Sequence, residues 1–171
     1  MFESHTLYKL IILYMLENAS SPLSNAQISD LILEQGYTDY FTLQQAIVDL
    51  TEGSLIKIEA TKNSEFYHIT QKGRETLNFF KDKISPAIMN DINIYLEKNK
   101  LQIINAASII TDYYKSTNSG YIANCKVREK DNILLELNIS VDSKEHAERV
   151  CTNWKANSDA IYSYLIGTLL N

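Results

Sequence analysis

The sequence predicts an α+β fold in two parts: short N-terminal helices closed by a β-hairpin and a further helix, then a small antiparallel sheet packed on a long terminal helix. Three observations predict it. Two short segments with helix-capping signals follow one another before Gly53. The alternating stretch Phe66-Tyr67-His68-Ile69-Thr70 runs without a break into the helical pattern of Gln71 to Leu77. After Ser108, strand-like alternation continues until Asp142, where helical periodicity takes over to the end.

The first helix is expected from Ser4 to about Asn18, with Leu7, Leu10, Ile11, Tyr14 and Met15 as a buried stripe, and Ser20-Ser21-Pro22 ends it. Ser24-Asn25-Ala26-Gln27 is a capping box, with Leu23 and Ile28 at the hydrophobic-staple positions, so a second helix starts there and runs to Gln35, before Gly36. Thr42-Leu43-Gln44-Gln45 repeats the device for a third helix through Glu52, with Leu43, Ala46, Ile47 and Leu50 inward and Gly53 as its stop. A hairpin follows, Leu55 to Ala60 and Phe66 to Thr70, with a polar turn at Lys62-Asn63-Ser64-Glu65. Thr70 caps a fourth helix from Gln71 to about Lys83, in which Leu77, Phe79 and Phe80 are available for packing.

Two capped helices in succession, the second followed at once by a hairpin, read as a helix-turn-helix with a wing. The expected organisation is therefore residues 1–83 as an N-terminal winged helix-turn-helix and residues 84–171 as a second part, with Ser85-Pro86 at the boundary. A linker helix to Lys98 carries Ile88, Ile92, Tyr95 and Leu96. Residues Leu101 to Lys115 fit helix or strand, and strand is preferred for Ser108 to Lys115, because the turn-rich Ser116 to Gly120 would pair it with Tyr121 to Glu129. Ala123, Cys125 and Val127 alternate inward, Lys130-Asp131-Asn132 turns, and Ile133, Leu135, Leu137, Ile139 and Val141 share one face. Asp142-Ser143-Lys144-Glu145 is a third capping box, opening a helix to about Leu169 whose Ala147, Val150, Cys151, Trp154, Ser158, Ile161 and Leu165 face the sheet.

The composition excludes several classes. With 45% apolar residues the 171-residue chain is an ordinary globular protein with one sizeable core or two small ones. Its longest apolar runs, such as Leu10 to Leu16, fall short of the ~20 residues of a membrane span, and no signal-peptide pattern opens the chain, so a cytoplasmic protein with no membrane partner is expected. Two cysteines make no disulfide framework. The three histidines are scattered and no Cys-x-x-Cys or His-x-x-x-His spacing is present, so neither a metal nor another cofactor is expected. No Gly-rich phosphate loop, nucleophile elbow or triad pattern appears, and an enzyme is not the expected class. A net charge of −5 argues against a non-specific coat for nucleic acid and leaves a specific reader open.

The segment from Phe66 to Leu77 resembles the closing signature of bacterial winged-helix regulators of the PadR and MarR kinds, roughly aromatic-x-Ile/Leu-Thr-x-x-Gly-Arg/Lys-x-x-Leu, and every element of that pattern is present. The whole chain also resembles an uncharacterised bacterial winged-helix family known only as a domain of unknown function, in Tyr40-Phe41-Thr42-Leu43-Gln44-Gln45 and in Cys151-x-x-Trp154-Lys155. The first resemblance implies a transcriptional regulator binding double-stranded DNA as a homodimer over a short pseudo-palindromic operator. Its third helix would enter the major groove, where Thr42, Gln44 and Gln45 are the candidates, since a Gln amide pairs bidentately with adenine, and Gln44 is preferred because Gln45 also serves as the cap partner. Lys62, Lys72 and Arg74 would contact phosphates. Residues 1–83 carry seven Lys/Arg against eleven Asp/Glu, and Tyr37 to Glu52 carries no cation at all. The alternative is therefore a winged-helix protein–protein interaction module without DNA binding. A dimer interface is expected from Ile88, Ile92 and Tyr95 with Tyr162, Ile166 and Leu169. A small-molecule effector is a possible further partner, with Trp154 and the tyrosines at 113, 114, 121, 162 and 164 as lining. Core packing is the preferred reading of those aromatics.

Overall fold

The computed structural model describes residues 4–62, 64–129 and 132–170. Among the described residues there are seven α-helices and two three-stranded antiparallel sheets, an α+β architecture ending in a long helix. The chain divides into two compact units, residues 1–59 with 65–104, and residues 60–64 with 105–171.

The first unit is built round α1 (Ser4–Asn18). Its bounds are those expected, but its burial is not a stripe. All seven residues from Leu10 to Leu16 are buried, because α3, α4, α5 and β3 pack round the helix and leave that segment no solvent face. After β1 (Leu23–Ser24), Ser24 caps α2 (Asn25–Glu34) in the expected box: the Gln27 amide donates to Ser24 Oγ, and the Ser24 amide to Gln27 Oε1. Gly36, at φ +70°, follows the helix.

The third helix, α3 (Tyr40–Glu52), begins earlier than the sequence predicts. Asp39 is its N-cap, with one carboxylate oxygen accepting from the Thr42 amide and the other from the Thr42 hydroxyl. A carboxylate at a helix N-terminus also meets the favourable end of the helix dipole, so Asp39 displaces Thr42 as the cap. The expected stop, Gly53, has φ −77°, and Ser54 takes the left-handed turn at φ +60°.

Strands β2 (Ile56–Ala60) and β3 (Glu65–Ile69) form the hairpin, with Asn63 outside the described residues. The sheet order is β1-β3-β2, and the central strand is buried on both faces at Phe66 and Tyr67. Thr70 caps α4 (Gln71–Phe80) as expected, accepting from the Gly73 amide while its hydroxyl donates to the Ser54 carbonyl. The glycine of this junction is a packing requirement: a Cβ on Gly73 would lie 2.1 Å from the Leu55 carbonyl oxygen. The helix gives way to a 3-10 turn at Lys81–Lys83, and Leu77 is buried while Phe79 and Phe80, available for packing by the sequence, are exposed and meet each other edge to face.

Ser85 caps α5 (Pro86–Lys98), which the sequence assigns to the second part. It belongs to the first unit instead, since Ile92 and Leu96 join the core round α1 and the Tyr95 hydroxyl donates to the Gln27 carbonyl. The ambiguous stretch splits into α6 (Lys100–Ser108) and β4 (Ile109–Lys115).

In the second unit β4 pairs with β5 (Tyr121–Glu129) and β5 with β6 (Asn132–Val141), and α7 (Lys144–Leu169) packs on the sheet. Of the turn expected at residues 130–132, Lys130 and Asp131 lie outside the described residues and Asn132 opens β6. The cap of α7 is Ser143, one residue later than expected, because its hydroxyl meets the His146 amide. Ala147, Cys151, Trp154 and Ser158 are buried as the periodicity predicts. A register shift between Val127 and Arg128 breaks the expected β6 face: Leu135 pairs with Val127 but Ile133 with Arg128, which puts Ile133 on the opposite side from Leu135.

Candidate nucleic-acid or protein interface

The outward side of α3 and the hairpin beside it enclose a groove of about 630 Å³, bordered by Asn25, Tyr40, Gln44, Val48, Ile58 and Tyr67 among others. The groove exists because α3 turns Leu43, Ala46, Ile47 and Leu50 inward and leaves the remaining faces open. Its floor is a polar chain. Asn25 Nδ2 donates to Gln44 Oε1 at 2.8 Å and Gln44 Nε2 returns a bond to Asn25 Oδ1 at 3.0 Å. Asn25 Nδ2 also lies 3.3 Å from the Tyr67 hydroxyl, which donates to Glu65 at 3.2 Å. Burial, ahead of the neighbouring Glu65, raises the Tyr67 pKa, so the phenol stays protonated and able to donate.

The candidates are therefore held in different ways. Gln44 is half-buried in the reciprocal pair with Asn25, while Gln45 is exposed and donates to Asp49 at 2.9 Å; with Asp39 as the cap, Gln45 has no capping role. Thr42 is engaged with Asp39. Asp39 is held below the usual carboxylate range by the Thr42 amide and hydroxyl. Asp49 is held low first by its bond to His5, at 2.6 Å, and then by Gln45. Both are thus ionised at neutral pH, and the acidic residues that line the groove itself are Glu52 and Glu65.

Each expected phosphate contact has a partner within the chain. Arg74 Nε donates to Glu17 at 2.9 Å, and Lys72 Nζ to the Gly53 carbonyl at 3.0 Å, at the C-terminal end of α3, where a cation is favoured. The turn carrying Lys62 groups with the second unit, where its amide donates to Asp112 and its ammonium stands 3.9 Å from the Tyr113 ring centroid. His68 is bonded to Glu59 at 2.7 Å.

Sequence reasoning missed Asn25, Tyr67 and the outward apolar residues of α3. Phe41 is 82% exposed, and Tyr40 and Val48 are exposed as well. The signal was available, since these three fall outside the Leu43, Ala46, Ile47 and Leu50 stripe.

Of the residues expected at a dimer interface, Ile92 is fully buried in the first unit and Ile88 and Tyr95 pack against its core. Tyr162 is half-buried, and Ile166 and Leu169 are exposed. Among the aromatics considered for an effector pocket, Trp154 is buried with its indole N–H donating to the Lys126 carbonyl, and Tyr113 donates to Glu148. Burial pushes the Cys125 thiol up to about 11 and raises that of Cys151. No helix among the described residues is long and apolar enough to cross a membrane, and none of their His, Cys, Asp and Glu side chains group to hold a metal ion.

Residues 8–169 match the profile of a family described as a domain of unknown function, DUF4364. No curated protein and no solved structure matches the chain.

Proposed function

The chain belongs to the DUF4364 family, and from that premise we propose that it is a cytoplasmic DNA-binding transcriptional regulator of the winged-helix type, akin to PadR- and MarR-like proteins, acting as a homodimer on a short pseudo-palindromic operator. The observation that carries the reading is the element order: α2 and α3 in succession, the β2–β3 hairpin directly after, and the Thr70-x-x-Gly73 junction into α4. In this reading α3 enters the major groove. Gln45 is the exposed amide on it, and Gln44 reaches a base edge by exchanging its pair with Asn25 for one with adenine. Lys72 and Arg74, at the start of α4, would contact phosphates. The Arg74–Glu17 pair is exposed and holds Arg74 by only ~0–1 kcal/mol, so a phosphate competes with Glu17 on favourable terms.

A second reading has its own support. The outward face of α3 offers Phe41, Tyr40 and Val48 with Asp39 and Asp49 beside them, and no Lys or Arg, which favours a protein-interaction module. Selection of genomic fragments by the purified protein at low salt, followed by sequencing, separates the two. The regulator reading expects a small set of fragments sharing an inverted repeat, a shallow salt dependence of about 0.9 per phosphate contact on a log–log plot, and loss of affinity on all sequences in Arg74→Ala. Absence of any preference among fragments overturns it.

A further inference from the structure

We propose that the outer edge of β6, with the apolar flank of α7 beside it, is the contact surface for a second copy of this chain, joined by antiparallel β6–β6 pairing about a two-fold axis at Leu137. The inference deepens the homodimer part of the proposed function and rests on that part alone, not on DNA binding.

The two edges of the β4-β5-β6 sheet are treated differently. Strand β4 carries Asp112 and Lys115, and Lys62 lies against it, its amide bonded to Asp112 and its ammonium over the Tyr113 ring. Strand β6, ten residues long, has β5 as its neighbour on one side only among the described residues, and its sequence Asn-Ile-Leu-Leu-Glu-Leu-Asn-Ile-Ser-Val has one charged residue, no lysine and no proline. A long apolar edge without those guards is a template for another strand.

The face of β6 is equally unfinished. A helix about 10 Å across covers roughly two strands spaced at about 4.8 Å, and α7 lies mainly over β4 and β5, burying Ala123, Cys125 and Trp154. Over β6 it leaves a groove of about 510 Å³ between Leu137 and Ile139 on the strand and Trp154, Asn157, Ile161 and Tyr164 on the helix. Ile139 is 39% exposed and Tyr164 70%.

The strand is complementary to itself. Antiparallel partners share a face, so the two-fold axis falls on a residue and not between two. Centred on Leu137, the pairing sets Leu137 on its copy, Leu135 on Ile139 and Glu136 on the Asn138 amide. Centred one residue earlier, it would oppose the two Glu136 carboxylates, which is destabilising. A two-fold axis normal to the sheet gives an isologous contact and a six-stranded sheet, with both α7 helices on one side and the two apolar grooves meeting over the β6 pair.

Sedimentation of the full chain without DNA tests this. A dimer is expected at micromolar concentration, and Leu137→Lys and, separately, Ile139→Lys are expected to give monomers with unchanged circular dichroism, since lysine on an edge strand blocks pairing. Hydrogen exchange of the unaltered protein supplies a readout independent of folding defects: amides of residues 132–141 are expected to exchange more than about tenfold faster after dilution below the dimer range. A monomer at micromolar concentration, a dimer indifferent to both lysines, or β6 exchange independent of concentration overturns the inference. A monomer that still selects DNA fragments removes this interface together with the homodimer part of the proposed function and leaves DNA binding standing. A β6-dependent dimer that selects none does the reverse.

Discussion

The two units complete their cores in different ways. In the first, helices and a strand surround α1 so fully that its seven central residues have no exposed side, and the Phe66-Tyr67 pair is buried on both faces of the central strand. In the second, one helix serves a three-stranded sheet and cannot span it, so β6 keeps Ile139 exposed beside α7, while the register shift turns Ile133 to the other side of the sheet, where it is exposed as well. An enclosed helix tolerates apolar residues at every position, whereas a sheet wider than its helix leaves an apolar margin. What the first unit offers a partner is its surface, and what the second offers is an incomplete core.

Substitutions at matched residues sharpen that contrast. Ile12→Ala, at a fully buried site, is expected to cost about 4 kcal/mol in urea unfolding, while Ile133→Ala, at a site 47% exposed, is expected to stay within about 0.5 kcal/mol in dilute protein. Comparable losses at the two sites would mean that Ile133 is covered after all. The glycines extend the comparison. Gly73→Ala drives a methyl against the Leu55 carbonyl and is expected to cost about 3 kcal/mol. Gly167→Ala in α7, with open space where its Cβ would be, is expected to gain about 0.5 kcal/mol from helix propensity. A stabilised Gly73→Ala would show that the hairpin and α4 are not packed as tightly as their geometry implies.

Between these lies Gln44→Ala. It removes one half of the reciprocal amide pair with Asn25 and is expected to cost about 1 kcal/mol, with relaxed sequence selection if Gln44 also reads bases. A change in selection without a change in stability would assign the pair to recognition rather than to the fold. The smallest effect is electrostatic and confined to the first unit. The Asp49 carboxyl, held low chiefly by His5, and the Asp39 carboxyl, held low by Thr42, contribute stability that is fully present above the ordinary carboxylate range. That stability is lost as pH falls through their depressed values, so acid unfolding of Asp49→Asn should begin from lower stability and show a shallower pH dependence.

Local features of both units were legible before the structure. The bounds of α1, the Ser24–Gln27 capping box, the Thr70 cap, the start of α5 after Ser85 and the β4–β5 hairpin all follow from contacts within a few residues, which the sequence lays side by side. The misses among the caps came where two nearby residues competed for one role. Asp39 outdid Thr42 because its charge and two acceptors serve both the amide and the hydroxyl of Thr42, and Ser143 took the cap expected at Asp142. The candidate site was legible only in part. The sequence singled out α3 and its two glutamines but not Asn25, nineteen residues away, whose amide occupies Gln44.

What the sequence by itself determined is most of the elements, the caps of α2 and α4 and the inward stripes of α3 and α7, because helix and strand periodicity and capping depend on spacings of two to four residues. Only the tertiary structure decided which apolar faces found cover. It enclosed α1 on all sides, drew α5 into the first core, paired Arg74 with Glu17 and Lys62 with Tyr113, and left the margin of β6 open. The physical reason is that burial and ion pairing depend on groups tens of residues apart along the chain, brought together by packing, and the pattern of a single segment carries no record of what will lie against it.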